Sequence, residues 1–223
     1  MYRNPYAKLR PPLNKPYTEI YLIRHCHPNY KLEKTYGEEG MPLSEAGLIQ
    51  RRFLTRRLLK MDINRVYISG LARAQETAAE YVKKAKKVAT IDSRLNEINW
   101  TSWYRIKYFN MSEASRRKRL KSRRRLDKQL DKMQTEARRA LADIFHENRN
   151  KTIAIFSHGN FIKALLTGIM NADVIGFLSL EIFQSSVSKL VIDCDGYIKI
   201  SYINDASHLP KPPIEDLFIT LAD

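Results

Sequence analysis

The sequence contains few cysteines and no long apolar run, and these shortages exclude several classes of protein. Only Cys26 and Cys194 are present, which is too few for a disulfide framework. No apolar run approaches the roughly 18 residues that a bilayer-spanning helix needs, and residues 1–6 lack the apolar segment of a secretory signal. We therefore expect a protein without a membrane span, working in the reducing environment of the cytoplasm.

Acidic residues are scarce relative to basic ones, and the resulting positive charge is local. The chain has 39 Lys and Arg against 24 Asp and Glu, a formal net charge of +15. Residues 104–128, called the basic segment below, hold eleven basic and two acidic residues and contribute +9 of that charge. Three interpretations stay open: a solvated helix, a lid that attracts an anionic substrate, or a surface that contacts a polyanion such as nucleic acid or an anionic membrane.

Length and composition predict one domain. A chain of 223 residues with 43% hydrophobic residues can bury one large core. Four prolines within the first 17 residues indicate an irregular leader. We expect residues 1–17 to form that leader and residues 18–223 to form one domain, with a basic helical lid or insert at about residues 100–146. The sequence does not indicate the oligomeric state.

Short apolar strands alternate with helices along the chain. This order predicts an α/β three-layer sandwich, in which a mostly parallel central sheet is flanked by helices and ends in a C-terminal antiparallel hairpin. Strands are expected at residues 19–24, 65–69, 88–91 and 152–156, helices from Ser44 and at 70–81, 104–146 and 160–170, and the hairpin at 187–193 and 197–202 around Asp195 and Gly196.

Basic side chains follow three of the predicted strands. Arg24 and His25 come after the first strand, Arg73 shortly after the second, and His158 after the strand at 152–156. Ligands bind at the carboxyl ends of the strands in such sheets, so we expect these four side chains to converge. Two imidazoles and two guanidinium groups in one pocket suit a single phosphoryl group.

Other phosphate chemistries find no support in the sequence. A cysteine phosphatase with Cys26 as nucleophile requires an arginine at position 32, where this chain has Leu32. The sequence has no Gly-x-x-x-x-Gly-Lys loop and no Cys/His cluster with zinc spacing. We therefore expect neither a metal nor another cofactor.

Six short motifs resemble, in the same order, those of the histidine phosphatase (phosphoglycerate mutase-like) superfamily. They are residues 22–26 (LIRHC), 42–47 (PLSEAG), 69–78 (SGLARAQETA), 95–97 (LNE), 156–159 (FSHG) and 204–209 (NDASHL). The first resembles the family's Arg-His-Gly signature, and the last is similar to the closing segment of its small phosphatases. The resemblance extends over residues 19–209 and implies the small phosphatase branch.

The resemblance implies a role for each matching residue. His25 is the nucleophile that becomes phosphohistidine, and Glu97 is the acid that protonates the leaving alcohol and later activates water. Arg24, Arg73, His158 and Gly159 bind the phosphoryl group, and His158 also takes part in catalysis.

The resemblance further implies a metal-independent phosphatase that hydrolyses a phosphomonoester, either a phosphorylated small molecule or a phosphoprotein. Two alternatives stay open. One is mutase-type phosphoryl transfer on a small metabolite, in which the enzyme keeps the phosphoryl group from water. The other is an inactive module that binds a polyanion.

Several residues depart from the family pattern or have more than one interpretation. Cys26 replaces the usual glycine and narrows backbone freedom, although we expect activity to survive. His27 is either an additional phosphate contact or an exposed loop residue, and Glu113 is an alternative proton donor to Glu97. His146 is expected at the surface, and His208 is expected to fix the C-terminal segment by hydrogen bonding. Trp100, Trp103 and Tyr104 form either a wall of the substrate pocket or part of the core.

Overall fold

The computed structural model describes residues 13–100 and 112–211, without the side chains of residue 113 and residues 115–125. The described chain forms six strands and six α-helices. In chain order they are β1 (Thr18–Arg24), α1 (Glu33–Gly40), α2 (Glu45–Leu58), β2 (Arg65–Ile68), α3 (Ala72–Ala85), β3 (Ala89–Ile91), α4 (Glu113–Glu147), β4 (Thr152–Ser157), α5 (Gly159–Ile169), α6 (Val174–Ser179), β5 (Val187–Ile192) and β6 (Ile198–Asp205).

The six strands form one sheet in the order β3-β2-β4-β1-β5-β6. Strands β1 to β4 run parallel, whereas β5 is antiparallel to β1 and pairs with β6 as a hairpin. The hairpin turns at Gly196, whose φ of +86° is a backbone conformation that glycine adopts without strain. The predicted mostly parallel sheet with a C-terminal antiparallel hairpin is confirmed.

Helices cover both faces of the sheet, because alternate strand residues point to opposite sides. On β1, Ile20 and Leu22 belong to the apolar cluster that packs against α4, α5 and α6. Tyr21 and Ile23 belong to the opposite cluster, which packs against α2 and α3. Burial of both faces explains why the central strands read as continuous apolar runs rather than as alternating ones.

Helix α4 lies within the predicted lid or insert, and part of it belongs to the core. Leu130, Leu141 and Ile144 are buried in the cluster beneath α5. The basic segment falls largely outside the described residues, since residues 101–111 and the side chains of 115–125 are not described. The lid interpretation and the division into leader and domain therefore stay predictions. Across residues 13–100 and 112–211, no helix is both long and apolar enough to cross a membrane.

Helices α1 and α6 were not predicted from the sequence. Helix α1 lies in the predicted loop between β1 and α2 and has no buried residue, so it leaves no apolar periodicity in the sequence. Helix α6 has only six residues, and its N-terminus is capped by the side chain of Asp173, which accepts from the N–H groups of Ile175 and Gly176. Helix α2 is capped at Ser44, where the sequence predicts it to begin.

Candidate active site

The ends of β1 and β4 bring the two predicted site histidines together. These strands are neighbours, and Arg24 is in register with Ser157. The residues that follow, His25 and His158, therefore lie side by side, with ring centroids 5.0 Å apart and ring planes inclined by 53°. The sheet thus places both imidazoles at the edge that the sequence predicts.

His25 presents one ring nitrogen to the pocket. Its side chain is 3% exposed, and Nδ1 lies 2.7 Å from the carbonyl oxygen of Cys26. A carbonyl can only accept, so Nδ1 carries the hydrogen and Nε2 carries the lone pair. Burial, then the charges of Arg24 and His158, hold the pKa of His25 well below its ordinary value of 6.5. The imidazole is therefore neutral, as a nucleophile requires.

Arg24 lies against the start of α5, where a residue larger than glycine would have a tight contact with it. A Cβ on Gly159 would lie 3.3 Å from both Cζ and Nε of Arg24. The guanidinium donates from Nη1 to the carbonyl oxygen of Ile182. Its Nε is buried and has no hydrogen-bond partner among the described residues. A buried N–H without a partner costs free energy, so this donor is suited to an anionic ligand.

His158 is fully buried and is oriented by Ser69, which follows β2. The Ser69 hydroxyl donates to Oδ1 of Asn96 at 2.8 Å and lies 2.7 Å from Nε2 of His158. The hydroxyl has one hydrogen, so Nε2 donates to Ser69. Nδ1 of His158 is buried and unpaired within the described part of the chain. Burial, then Arg73 and Arg24, hold the pKa of His158 well below its ordinary value.

Arg73 lies in the first turn of α3 and is 4% exposed. Its Nη1 donates to the backbone oxygen of Glu38 at 2.6 Å, and its Nη2 lies 3.5 Å from Oε1 of the same residue. Burial lowers the pKa of Arg73, while the carboxylates of Glu97 and Glu38 act against that shift. Arg73 is therefore a buried cation that contacts Glu38 and that the charge of Glu97 also affects.

Glu97 is held by backbone donors on both sides. Its Oε1 accepts from the N–H of Ile98 at 3.1 Å and from the N–H of Asn160 at 3.0 Å. The Asn160 side chain donates to the carbonyl oxygen of Ile98 at 3.0 Å, which fixes the Glu97 loop against the start of α5. Burial raises the pKa of Glu97, and the charges of Arg24 and Arg73 oppose the rise. Glu113, the alternative proton donor, lies outside the described side chains.

Sequence reasoning did not identify Ser69, Asn96 or Asn160 as residues that orient the site. Asn96 lies within the 95–97 motif and also accepts from the N–H of Gly70 at 2.7 Å. Ser69 begins the 69–78 motif, and Asn160 directly follows the 156–159 motif. Their closeness to the motifs was the only signal, since orienting hydrogen bonds leave no periodic pattern in the sequence.

Two residues next to His25, namely Cys26 and His27, depart from the family pattern, and both contact the rest of the fold. Cys26 is fully buried, its N–H donates to Oγ1 of Thr77 at 2.9 Å, and burial raises the pKa of its thiol to about 11. Nδ1 of His27 lies 2.8 Å from the Ser44 hydroxyl. A Cβ on Gly47 would lie 2.1 Å from the carbonyl oxygen of His27, so glycine is required there. His27 is thus bonded to the start of α2.

The other residues that the sequence analysis named are His208, His146, Trp100, Trp103 and Tyr104. His208 bonds through Nε2 to the Ser185 hydroxyl at 3.0 Å, and Nη1 of Arg57 lies 3.3 Å from its Nδ1. His146 is exposed near the end of α4. Trp100 packs edge-on against Phe177 with centroids 4.9 Å apart, at the border of the core. Trp103 and Tyr104 lie outside the described residues.

The pocket thus combines two guanidinium groups, two neutral imidazoles and one carboxyl group of raised pKa. Such a set can bind a tetrahedral anion, attack it from Nε2 of His25 and protonate a leaving oxygen. Over the residues described, no group of three His, Cys, Asp or Glu side chains could hold a metal ion. The fold and this set of groups are those of a class of enzymes that act on phosphate esters.

The chain belongs to the histidine phosphatase superfamily (branch 1), whose family model matches residues 20–206. The chain is 25% identical over 203 residues to a probable phosphatase of Schizosaccharomyces pombe, covering 86% of this chain and 95% of that protein. It is 21% identical over 211 residues to a probable phosphoglycerate mutase of Photorhabdus laumondii, covering 89% and 98%. The resemblance inferred from the motifs is confirmed.

The fold is also that of solved members of this class. The crystal structure of an Entamoeba histolytica phosphoserine phosphatase mutant with phosphoserine matches with a TM-score of 0.66. The identity is 19%, and the match covers 86% of this chain and 99% of that one. These comparisons support a phosphatase or mutase-type enzyme and the three-layer α/β fold.

The free energy of unfolding is expected to fall as the pH drops below about 6.5, because His25 and His158 are buried as neutral groups. Their folded pKa values lie below the unfolded ones, so their stabilisation is complete above the unfolded pKa and is lost as the pH falls toward the folded pKa. Each of these histidines lowers the free energy of unfolding by up to about 1.4 kcal/mol for every pH unit of acidification.

Urea unfolding at several pH values between about 7 and 5 measures the slope of the free energy of unfolding against pH. The variant His158→Asn should show a shallower pH dependence than the wild type, by up to one proton. Equal slopes in the two proteins would contradict the assignment of a buried neutral His158.

Proposed function

We propose that the protein is a phosphatase that hydrolyses a phosphomonoester through a phosphohistidine intermediate on His25, without a metal ion. The observation that carries this proposal is the neutral His25, whose Nδ1–H is bonded to the Cys26 carbonyl and whose ring lies 5.0 Å from that of His158. Arg24 and Arg73 flank the position of a bound phosphoryl group, and Glu97 supplies the proton.

In the first step, the lone pair of His25 Nε2 attacks phosphorus and the bond from phosphorus to the ester oxygen breaks. Glu97 gives its proton to the departing oxygen, so an alcohol leaves rather than an alkoxide. Arg24 and Arg73 neutralise the charge on the non-bridging oxygens. The Cys26 carbonyl stabilises the positive charge that His25 gains, through the hydrogen bond from Nδ1.

In the second step, water attacks the phosphorus of phosphohistidine and the bond to Nε2 breaks, returning the electron pair to the imidazole. The Glu97 carboxylate takes a proton from the water and is again an acid at the end of the cycle. Phosphate leaves, and His25 is neutral once more. The Gly159 N–H, at the start of α5, donates a hydrogen bond to the phosphoryl oxygens. His158 has its Nε2–H bound to Ser69, so it donates to a phosphoryl oxygen only from Nδ1, after taking up a proton that the bound anion favours.

A mutase is the second candidate, because relatives such as the Photorhabdus laumondii protein are named as phosphoglycerate mutases. A mutase returns the phosphoryl group to a second oxygen of the metabolite, whereas a phosphatase releases it to water. We favour the phosphatase because residues 204–209 match the small phosphatases. We further propose a small phosphorylated metabolite as substrate and the cytoplasm as the compartment, and we retain polyanion contact through the basic segment as a hypothesis.

The proposal is tested by release of inorganic phosphate from p-nitrophenyl phosphate, with and without an excess of chelator. We expect steady release at the same rate in both conditions. Release that stops with chelator and returns with added divalent metal would contradict the metal-independent mechanism. Interconversion of 2- and 3-phosphoglycerate without phosphate release would instead establish the mutase.

A further inference from the structure

Glu38 contacts Arg73, the arginine proposed to bind phosphate, but it is not one of the residues proposed for catalysis. Arg73 directs two guanidinium nitrogens at this residue, Nη1 at the backbone oxygen at 2.6 Å and Nη2 toward the carboxylate at 3.5 Å. The proposed catalytic steps use Arg24, His25, Arg73, Glu97 and His158 but give Glu38 no role. A carboxylate next to an arginine that binds an anion competes with that anion, so its presence needs a functional reason.

Helix α1 has a break in its backbone directly before Glu38. Gly37 has φ +68° and ψ 176°, a region open essentially to glycine, and it breaks the helix one residue before Glu38. No residue of α1 is buried, so apolar packing does not fix the segment. The contacts between Glu38 and Arg73 connect this part of α1 to the start of α3.

The Glu38 side chain also faces solvent, since 44% of it is exposed while the Arg73 side chain is 5% exposed. Its carboxylate can therefore meet a group of the substrate as well as Arg73. Arg73 contacts Glu38, and the negative charges of both Glu97 and Glu38 act on it. In the proposed first step Arg73 binds the phosphoryl group whose ester oxygen Glu97 protonates, so the first atoms of the leaving group start near Arg73.

We propose that Glu38 determines substrate specificity by favouring phosphomonoesters whose leaving group carries an ammonium group and disfavouring those with a further anion. This inference rests on the proposed phosphatase function and adds the class of leaving group. An ammonium group two carbons from the ester oxygen can pair with Glu38 while the phosphoryl group pairs with Arg73. A second anion in that position meets a carboxylate instead and is repelled.

The test compares O-phosphoethanolamine with propyl phosphate, two alkyl esters of similar size that differ in an ammonium or methyl end group. The variants are Glu38→Gln, which keeps the backbone oxygen that binds Arg73, and Glu39→Gln, which removes the same charge one residue away. We expect the wild type and Glu39→Gln to prefer O-phosphoethanolamine about fivefold in kcat/KM, as a partly exposed ion pair allows. In Glu38→Gln the preference should disappear.

Inhibition by inorganic phosphate supplies an independent measurement. Removing the competing carboxylate should lower the inhibition constant of phosphate about threefold in Glu38→Gln and leave it unchanged in Glu39→Gln. An unchanged preference between the two esters, or weaker phosphate inhibition in Glu38→Gln, would overturn the proposal, since Glu38 would then only orient Arg73. If the wild type fails to hydrolyse p-nitrophenyl phosphate as well, the phosphatase function itself fails, which separates the two outcomes.

Discussion

Replacing His25 by alanine is expected to lower phosphate release from p-nitrophenyl phosphate by about 10³-fold or more, because the substitution removes the proposed nucleophile. The wild type, quenched in base during turnover, should retain a phosphoryl group that is stable in alkali and labile in acid. His25→Ala should retain none.

The matched control is His146→Ala, which removes an exposed imidazole from α4 and should keep wild-type activity. Both variants should unfold cooperatively in urea, which shows that lost activity does not come from a lost fold. His25→Ala removes a buried neutral imidazole and a hydrogen bond to the Cys26 carbonyl, so a modest loss of stability is consistent with the mechanism. Substantial turnover by His25→Ala would exclude His25 as the nucleophile.

Replacing Glu97 by glutamine is expected to slow hydrolysis by an amount that depends on the leaving group. Propyl phosphate has a poor leaving group that needs a proton, so its kcat should fall about 10²- to 10⁴-fold. p-Nitrophenolate leaves without a proton, so formation of phosphohistidine should be little affected. Hydrolysis of the intermediate still lacks its base, so a burst of nitrophenolate about equal to the enzyme concentration should precede a slow steady state.

Rapid-quench measurement of nitrophenolate checks the burst, and Glu136→Gln is the control for loss of a carboxylate. Glu136 lies on α4, its side chain is 59% exposed, and its nearest cation is Lys132 at 3.9 Å. Equal losses for both substrates without a burst would contradict the assignment of Glu97 as the proton donor. A carboxylate beyond the described side chains, such as Glu113, would then be the next candidate.

Several features of the fold and site could be predicted from short segments. The strands at residues 19–24 and 152–156 are apolar runs with both faces buried, and each ends at a basic motif. The capping Ser44 and the hairpin glycine at 196 also follow local rules, since a cap and a turn involve only neighbouring residues. The role of each motif residue came from the family resemblance, and those roles stay predictions.

Other features depended on contacts between distant parts of the chain. Helix α1 has no buried residue, so its sequence has no apolar periodicity that predicts a helix. In the second half of α4, Leu130 and Ile144 lie in the core. A charged helix carries few apolar residues, and composition alone does not show which of them are buried.

The sequence by itself determined which side chains lie at the carboxyl ends of the strands, because strand periodicity and chain order decide that locally. Only the tertiary structure decided their partners. Glu38 and Arg73 are 35 residues apart in the chain, and Asn160 and Glu97 are 63 residues apart. No local pattern encodes such pairs, because they form only when strands and helices pack. The packing sets the raised pKa of Glu97 and the carboxylate beside Arg73.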